Sequence, residues 1–258
     1  MSTPSAETIK QEVRQRYGRI ALDSGGCCGS SADTSCCGAP DAAADIVFTD
    51  YSDLRGQVVA EADLGLGCGT PTLTAPLHPG QTVLDLGSGA GIDVFLAAQA
   101  VGAQGRVIGV DMTPEMITRA RNNAERGGFA NVEFRLGEIE HLPVEANSVD
   151  VVLSNCVINL APDKGQVFGE VYRVLKLGGQ FSISDMVSYG AVPEAVRQDM
   201  MLWAGCIAGA LDREDYLGII QAAGFRNVRV EKETTYGAEA AGLNGDFGLA
   251  SVTVVGEK

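Results

Sequence analysis

The sequence lacks several things, and each shortage removes a class of protein. It holds only two histidines, His78 and His141, and no Cys-x-x-Cys pair, so the donor spacing of a structural zinc site is missing. No stretch approaches the ~20 apolar residues that cross a bilayer. The opening residues, MSTPSAETIK, carry neither the basic start nor the apolar run of a secretory signal. The expected setting is cytoplasmic, away from any membrane. A basic stripe is absent too: 33 Asp and Glu against 19 Lys and Arg leave a formal net charge of -14, spread along the chain. RNA or DNA would be repelled by such a surface, so nucleic acid is not an expected partner.

What is present begins with cysteine. There are seven in 258 residues, and in a reducing compartment they are better explained as metal ligands, redox groups or catalytic groups than as a disulfide framework. Four of them, Cys27, Cys28, Cys36 and Cys37, form two vicinal pairs in GGCCGSSADTSCCG. That segment has almost nothing apolar to bury and the composition of a tether. Before it, Ile9, Val13, Tyr17 and Ile20 recur at roughly helical spacing within residues 7–22. The expected division is an amino-terminal helix and Cys-rich segment over 1–50, then a main domain over 51–258.

From Pro79 the pattern becomes regular. Short apolar runs bounded by Gly, Pro and Asn (TVLDLG, RVIGVD, VEFRLG, SVDVVLSN, QFSISDM) alternate with helical patterns over 92–101, 114–126 and 164–175. Helices are expected again over 192–211 and 214–223, and closing strands in NVRVEKET and LASVTVVGE. Alternation of this kind indicates an α/β fold, a doubly wound and mostly parallel sheet with helices on both faces.

VLDLGSGAGIDVF reads as strand, glycine turn and helix, with Gly87, Ser88 and Gly89 in the turn. Glycine there permits a tight turn and close backbone approach to a ligand at the carboxyl end of the first strand. VIGVD then ends a second strand at Asp111, where a carboxylate can accept hydrogen bonds from ribose hydroxyls. The loop is Gly-x-Gly-x-Gly, not the dinucleotide Gly-x-Gly-x-x-Gly, and it carries Asp85 two residues ahead. An acid at that point favours a ligand with an ammonium group over a pyrophosphate, which wants the bare helix terminus. The expected cofactor is therefore S-adenosylmethionine. Met112 is expected against its adenine ring, Gly137, Glu138 and Ile139 near its edge, and Asn155 beside it.

Over roughly Gly80 to the end, the sequence resembles the class I methyltransferases. More closely, GLGCGTP, VLDLGSGAGIDVFLAA, VIGVDMTPEMI, VEFRLGEIEHLPVEANSVDVVLSNCVINLAPDK and AGCIAGAL together resemble the arsenite methyltransferases. The resemblance implies a seven-stranded, Rossmann-like sheet whose last strand runs antiparallel. It also implies that Cys68, Cys156 and Cys206 are the thiolates that bind trivalent arsenic and carry the reaction. The residues alone leave a plainer alternative open, three small apolar cysteines in the core. Soft thiolates do select soft, thiophilic acceptors.

The expected reaction passes the methyl group of S-adenosylmethionine to thiolate-bound As(III), an arsenic detoxification. Cys27, Cys28, Cys36 and Cys37 would then deliver arsenic or form a disulfide, with glutathione or thioredoxin as reductant. Two other readings compete: a methyltransferase for a small organic acceptor such as a quinone or sterol, and a thiol-rich metalloid binder without catalysis.

Overall fold

The computed structural model describes residues 5–23, 51, 59–237 and 247–258. Seven strands form one sheet in the order β3-β2-β1-β4-β5-β7-β6. They are β1 (Thr82–Leu86), β2 (Arg106–Asp111), β3 (Val132–Leu136), β4 (Val149–Asn155), β5 (Leu175–Tyr189), β6 (Arg226–Gly237) and β7 (Gly248–Glu257). Strands β1 to β5 pair in parallel, and β7 runs antiparallel to both β5 and β6. This is the expected doubly wound sheet with its antiparallel last strand.

Each face of the sheet carries a core. On one side α3 (Ile92–Val101) and α4 (Pro114–Gly127) bury Val94, Phe95, Ile117 and Ala120 against Val83, Val107, Val151 and Leu153. On the other, α5 (Lys164–Val174) and α8 (Arg213–Ala222) bury Phe168, Val171, Tyr216 and Ile220 against Leu84, Ile108, Val152 and Ile183. Alternate side chains of β1 and β4 thus serve opposite cores, as the period of a strand requires. That double burial explains why these strands read as continuous apolar runs.

A third cluster lies at the carboxyl ends of the strands. There α1 (Ala6–Asp23) packs on α4 and on α7 (Met200–Ala204), and buries Ile9 and Val13 in a cluster that contains Cys68, Cys156 and Cys206. The helix expected over 192–211 is instead two short ones, α6 (Glu194–Arg197) and α7. Asp199 interrupts it: its side chain accepts the backbone N–H groups of Met201 and Leu202 and starts a new helix. Gly205 and the left-handed Cys206 (φ 64°) then end α7. One further short helix, α2 (Pro71–Thr74), precedes the sheet. Cys27, Cys28, Cys36 and Cys37, and the boundary expected near residue 50, lie outside the described residues.

Candidate active site

β1 has β2 on one side and β4 on the other, so the chain reverses direction across the sheet there and leaves a crevice at the strand ends. The glycine turn opens into that crevice. Gly87, Gly89 and Gly91 have φ of 65°, 51° and 102°. A Cβ on Gly87 would strike Val157, whereas one on Gly89 would meet nothing within 4 Å. The first glycine is needed for packing, and the space over Gly89 is open to a ligand.

Two adjoining cavities share Leu66, Gly87, Gly89 and Asn155. One continues past Asp111, Met112, Ile139 and Cys156 under Lys10, Val13 and Tyr17 of α1. The other runs past Asp85, Ser88, Asp93 and Tyr51. Among the expected cofactor residues Gly137 and Glu138 line neither. Glu138 is held outward by Lys10 Nζ at 2.7 Å and Arg14 at 3.4 Å, and Lys10 also reaches Glu140, which does line the cavity, at 3.1 Å.

Three buried carboxyls surround these cavities. Asp111 Oδ2 accepts the Gly89 N–H at 2.9 Å and Oδ1 the Thr113 N–H at 2.8 Å. Each oxygen keeps a second lone pair for a hydroxyl. Asp93 accepts from Tyr51 Oη at 2.9 Å and Thr72 Oγ1 at 3.1 Å. Burial pushes Asp111, Asp93 and Asp85 above the usual carboxylate range, and for Asp85 the charges of Asp93 and Asp111 add to it. No lysine or arginine forms an ion pair with any of the three among the described residues. Ser88 Oγ is buried without a hydrogen-bond partner. Unneutralised acids around an open loop, with an idle hydroxyl, suit a cationic ligand that carries hydroxyls.

Asn155 joins this region to the thiols. Its Oδ1 accepts the N–H groups of Cys68 and Gly69 at 3.0 and 3.2 Å. Its Nδ2 donates to the Gly69 carbonyl at 2.7 Å and to Tyr51 Oη at 2.8 Å, and also lies 3.2 Å from Asp93 Oδ2, so its two hydrogens are shared among three acceptors. The loop bearing Cys68 is thereby fixed to the end of β4, and Ser251 Oγ of β7 donates to the Cys68 carbonyl from the other side.

Cys156 is the next residue after β4, and Cys206 follows α7. All three cysteines are buried and free of disulfides. Cys206 Sγ donates to the Cys156 carbonyl at 3.0 Å. Cys68 Sγ, Cys156 Sγ and a carboxylate oxygen of Asp185 lie within 4.8 Å of one another. Burial holds the Cys68 thiol at about 11. The bond to Cys156 and burial lift Cys206 well above its ordinary value. For Cys156 the bond with Cys206 acts downward, but Cys68 and burial outweigh it and the thiol is raised. Each of these shifts favours the neutral thiol at pH 7.

Several contributors were not singled out from the sequence. Tyr17, Lys10 and Val13 belong to a helix whose pattern showed a buried face without showing its target. Asp185 had one visible signal, a charge inside the strand-like run QFSISDM, where both faces are expected to be apolar.

Parallel sheet, switch point, acid-flanked glycine loop and second-strand aspartate define a nucleoside-cofactor methyltransferase domain, and the family described as "Methyltransferase domain" matches residues 77–224. Within that class, the chain belongs to the arsenite methyltransferase family. It is 50% identical over 230 residues to an arsenite methyltransferase of Halobacterium salinarum, covering 87% of this chain and 59% of that protein. It is 33% identical to that of Rattus norvegicus, covering 98% of this chain and 69% of that one. A solved structure, an arsenic(III) S-adenosylmethionine methyltransferase from Chlamydomonas reinhardtii, superposes with a TM-score of 0.69 at 34% identity, over 86% of this chain and 75% of that one. The chain spans about three fifths of the length of the Halobacterium relative, at 59%.

Proposed function

We propose that this chain transfers the methyl group of S-adenosylmethionine to trivalent arsenic held by Cys68, Cys156 and Cys206. The observation that carries the proposal is the gathering of three buried cysteines, from three separate parts of the chain, beside a cavity ringed by unneutralised acids.

Loading needs no base. Arsenous acid brings its own hydroxides, so each neutral thiol that joins arsenic loses its proton into a departing water, and raised thiol pKa values are no obstacle. The bound arsenic keeps a lone pair. When bound, S-adenosylmethionine would supply a methyl group on a sulfonium, for which the lone pair of arsenic held by Cys68, Cys156 and Cys206 would be the acceptor.

The chain's part is placement. Asp111 would take the ribose hydroxyls, and Asp85 and Asp93 would offset the cofactor's positive charge. Asn155 would hold the Cys68 loop in register with Cys156, and burial would exclude water. The arsenic loses two electrons in the step, so continued turnover calls for a thiol reductant, for which glutathione and thioredoxin have the right chemistry.

The test is full-length protein with labelled S-adenosylmethionine, with and without arsenite and reductant, scored for methylated arsenic. Cys156→Ser should abolish the product while leaving cofactor affinity nearly unchanged, because oxygen is too hard a donor to replace sulfur on a soft centre. Methylated arsenic from that variant would refute the three-thiolate site. A delivery role for Cys27, Cys28, Cys36 and Cys37 predicts that replacing all four by serine slows turnover at low, carrier-bound arsenite and less so at high arsenite. Equal rates at every concentration would refute it.

A further inference from the structure

Arsenic chemistry leaves Asp185 without a task. Its carboxyl is fully buried on β5, accepts the Asn159 N–H at 3.0 Å and the Met186 N–H at 2.9 Å, and still presents an oxygen within 4.8 Å of both Cys68 Sγ and Cys156 Sγ. As(III) satisfies its valence with three sulfurs and a lone pair, so a carboxylate there is surplus. A divalent d10 cation has no such lone pair. It takes four donors in a tetrahedron and accepts carboxylate oxygen beside sulfur.

Charge balance agrees. On binding the cation, Cys68 and Cys156 release their thiol protons to solvent; the two thiolates and the Asp185 carboxylate then carry three negative charges, and a divalent cation leaves one. Lys164, buried with its Nζ on the carbonyls of Asn159 and Ala161, supplies the matching positive charge. Cys206 then needs no ionisation and keeps its hydrogen bond to the Cys156 carbonyl. With As(III) on three thiolates the metalloid is neutral by itself, and Asp185 and Lys164 cancel each other. Asp185 and Lys164, two buried groups of opposite charge that make no direct ion pair, together allow a neutral interior around either ion, which a low-dielectric site demands.

We propose that Cys68, Cys156 and Asp185, with a solvent water as fourth donor, form a binding site for a divalent thiophilic cation of the zinc and cadmium type, which excludes As(III) by taking two of its thiols and leaves Cys206 unused. This uses thiols assigned above but does not rest on arsenic being the methyl acceptor.

The experiment uses the full chain with Cys27, Cys28, Cys36 and Cys37 replaced by serine, so that only the buried thiols report. Cd2+ is titrated and followed by its thiolate charge-transfer absorption, As(III) is titrated separately, and each is then used to displace the other. Cys206→Ser should keep Cd2+ binding and lose As(III) binding. Asp185→Asn should weaken Cd2+ by about tenfold or more and leave As(III) nearly unchanged. Cys68→Ser should lose both.

Loss of Cd2+ in Cys206→Ser, or Cd2+ affinity unmoved in Asp185→Asn, would overturn the ligand set. Failure of Cd2+ to displace As(III) would overturn the shared site. If thermal unfolding shows that Asp185→Asn does not fold, the Cys206→Ser and displacement arms decide. A parent that binds Cd2+ but not As(III) would sink the arsenic reading alone.

Discussion

Cys156 and Cys206 have φ of 58° and 64°, and the only other non-glycine residues described at positive φ are asparagines, Asn147 and Asn227. Asparagine tolerates the left-handed region, whereas an ordinary L-residue is disfavoured there by ~1–2 kcal/mol. Two cysteines kept in that region at one cluster point to a need for sulfur at those positions. Cys206→Gly and Cys206→Ala both remove the sulfur, but glycine also removes the strain. The glycine variant should be the more stable by about 1 kcal/mol in chemical denaturation. Equal stabilities would mean that no strain is held there. None of this was legible in the sequence, because nothing in AGCIAGAL distinguishes a left-handed cysteine from a helical one. The position of Cys156, by contrast, was legible: an apolar run ending in Asn marks a strand end, and doubly wound sheets bind ligands there.

α1 turns its buried face, Ile9 and Val13, toward the thiol cluster and the crevice, and its Lys10 pairs with Glu138 and Glu140 of the loop after β3. It is a wall of the first cavity. Val13→Asp would force a charge into that wall, and the helix should lift instead of burying it, losing contacts worth ~1.5–3 kcal/mol. S-adenosylmethionine affinity should fall about tenfold or more while far-ultraviolet circular dichroism shows the sheet intact. Unchanged affinity would remove α1 from the pocket. The sequence displayed this helix clearly but not its seat, since periodicity identifies an apolar face and not the surface that receives it. The helices on the sheet could be placed because the crossover rule fixes them. The break at Asp199 could not, since an aspartate in a helical pattern becomes a cap only if the chain turns there.

At the scale of the whole molecule, Asp85, Asp93, Asp111 and Asp185 are all buried and all shifted in one direction. Burial lifts Asp185 from 3.8 to about 7 against the opposing pull of the Met186 N–H, Lys164 and the Asn159 N–H. A raised folded-state value means that the native chain binds more protons than the unfolded chain between those limits, so stability falls as pH rises from about 4 to 7. The Asp185 share is on the order of 4 kcal/mol. Lys164, lowered to about 8, acts in the opposite sense at higher pH. Urea midpoints measured across pH 4 to 7 should decline, and Asp185→Asn should flatten the decline. A profile that rises would contradict the burial of these acids. The bound cofactor, being cationic, should restore more stability at pH 7 than at pH 5, which thermal shifts with and without it would show. The peptide joining Asn155 to Cys156 has a mechanical meaning as well: one residue lines the cavity ringed by acids and the next is a thiol. Their Cα atoms are held at about 3.8 Å by covalent bonds alone. In the proposed reaction that interval would set how far the thiol sits from the cofactor cavity, and a residue inserted at this joint would alter it together with the Cys156 N–H bond to the Ser184 carbonyl at 2.8 Å and the Cys206 Sγ bond to the Cys156 carbonyl at 3.0 Å.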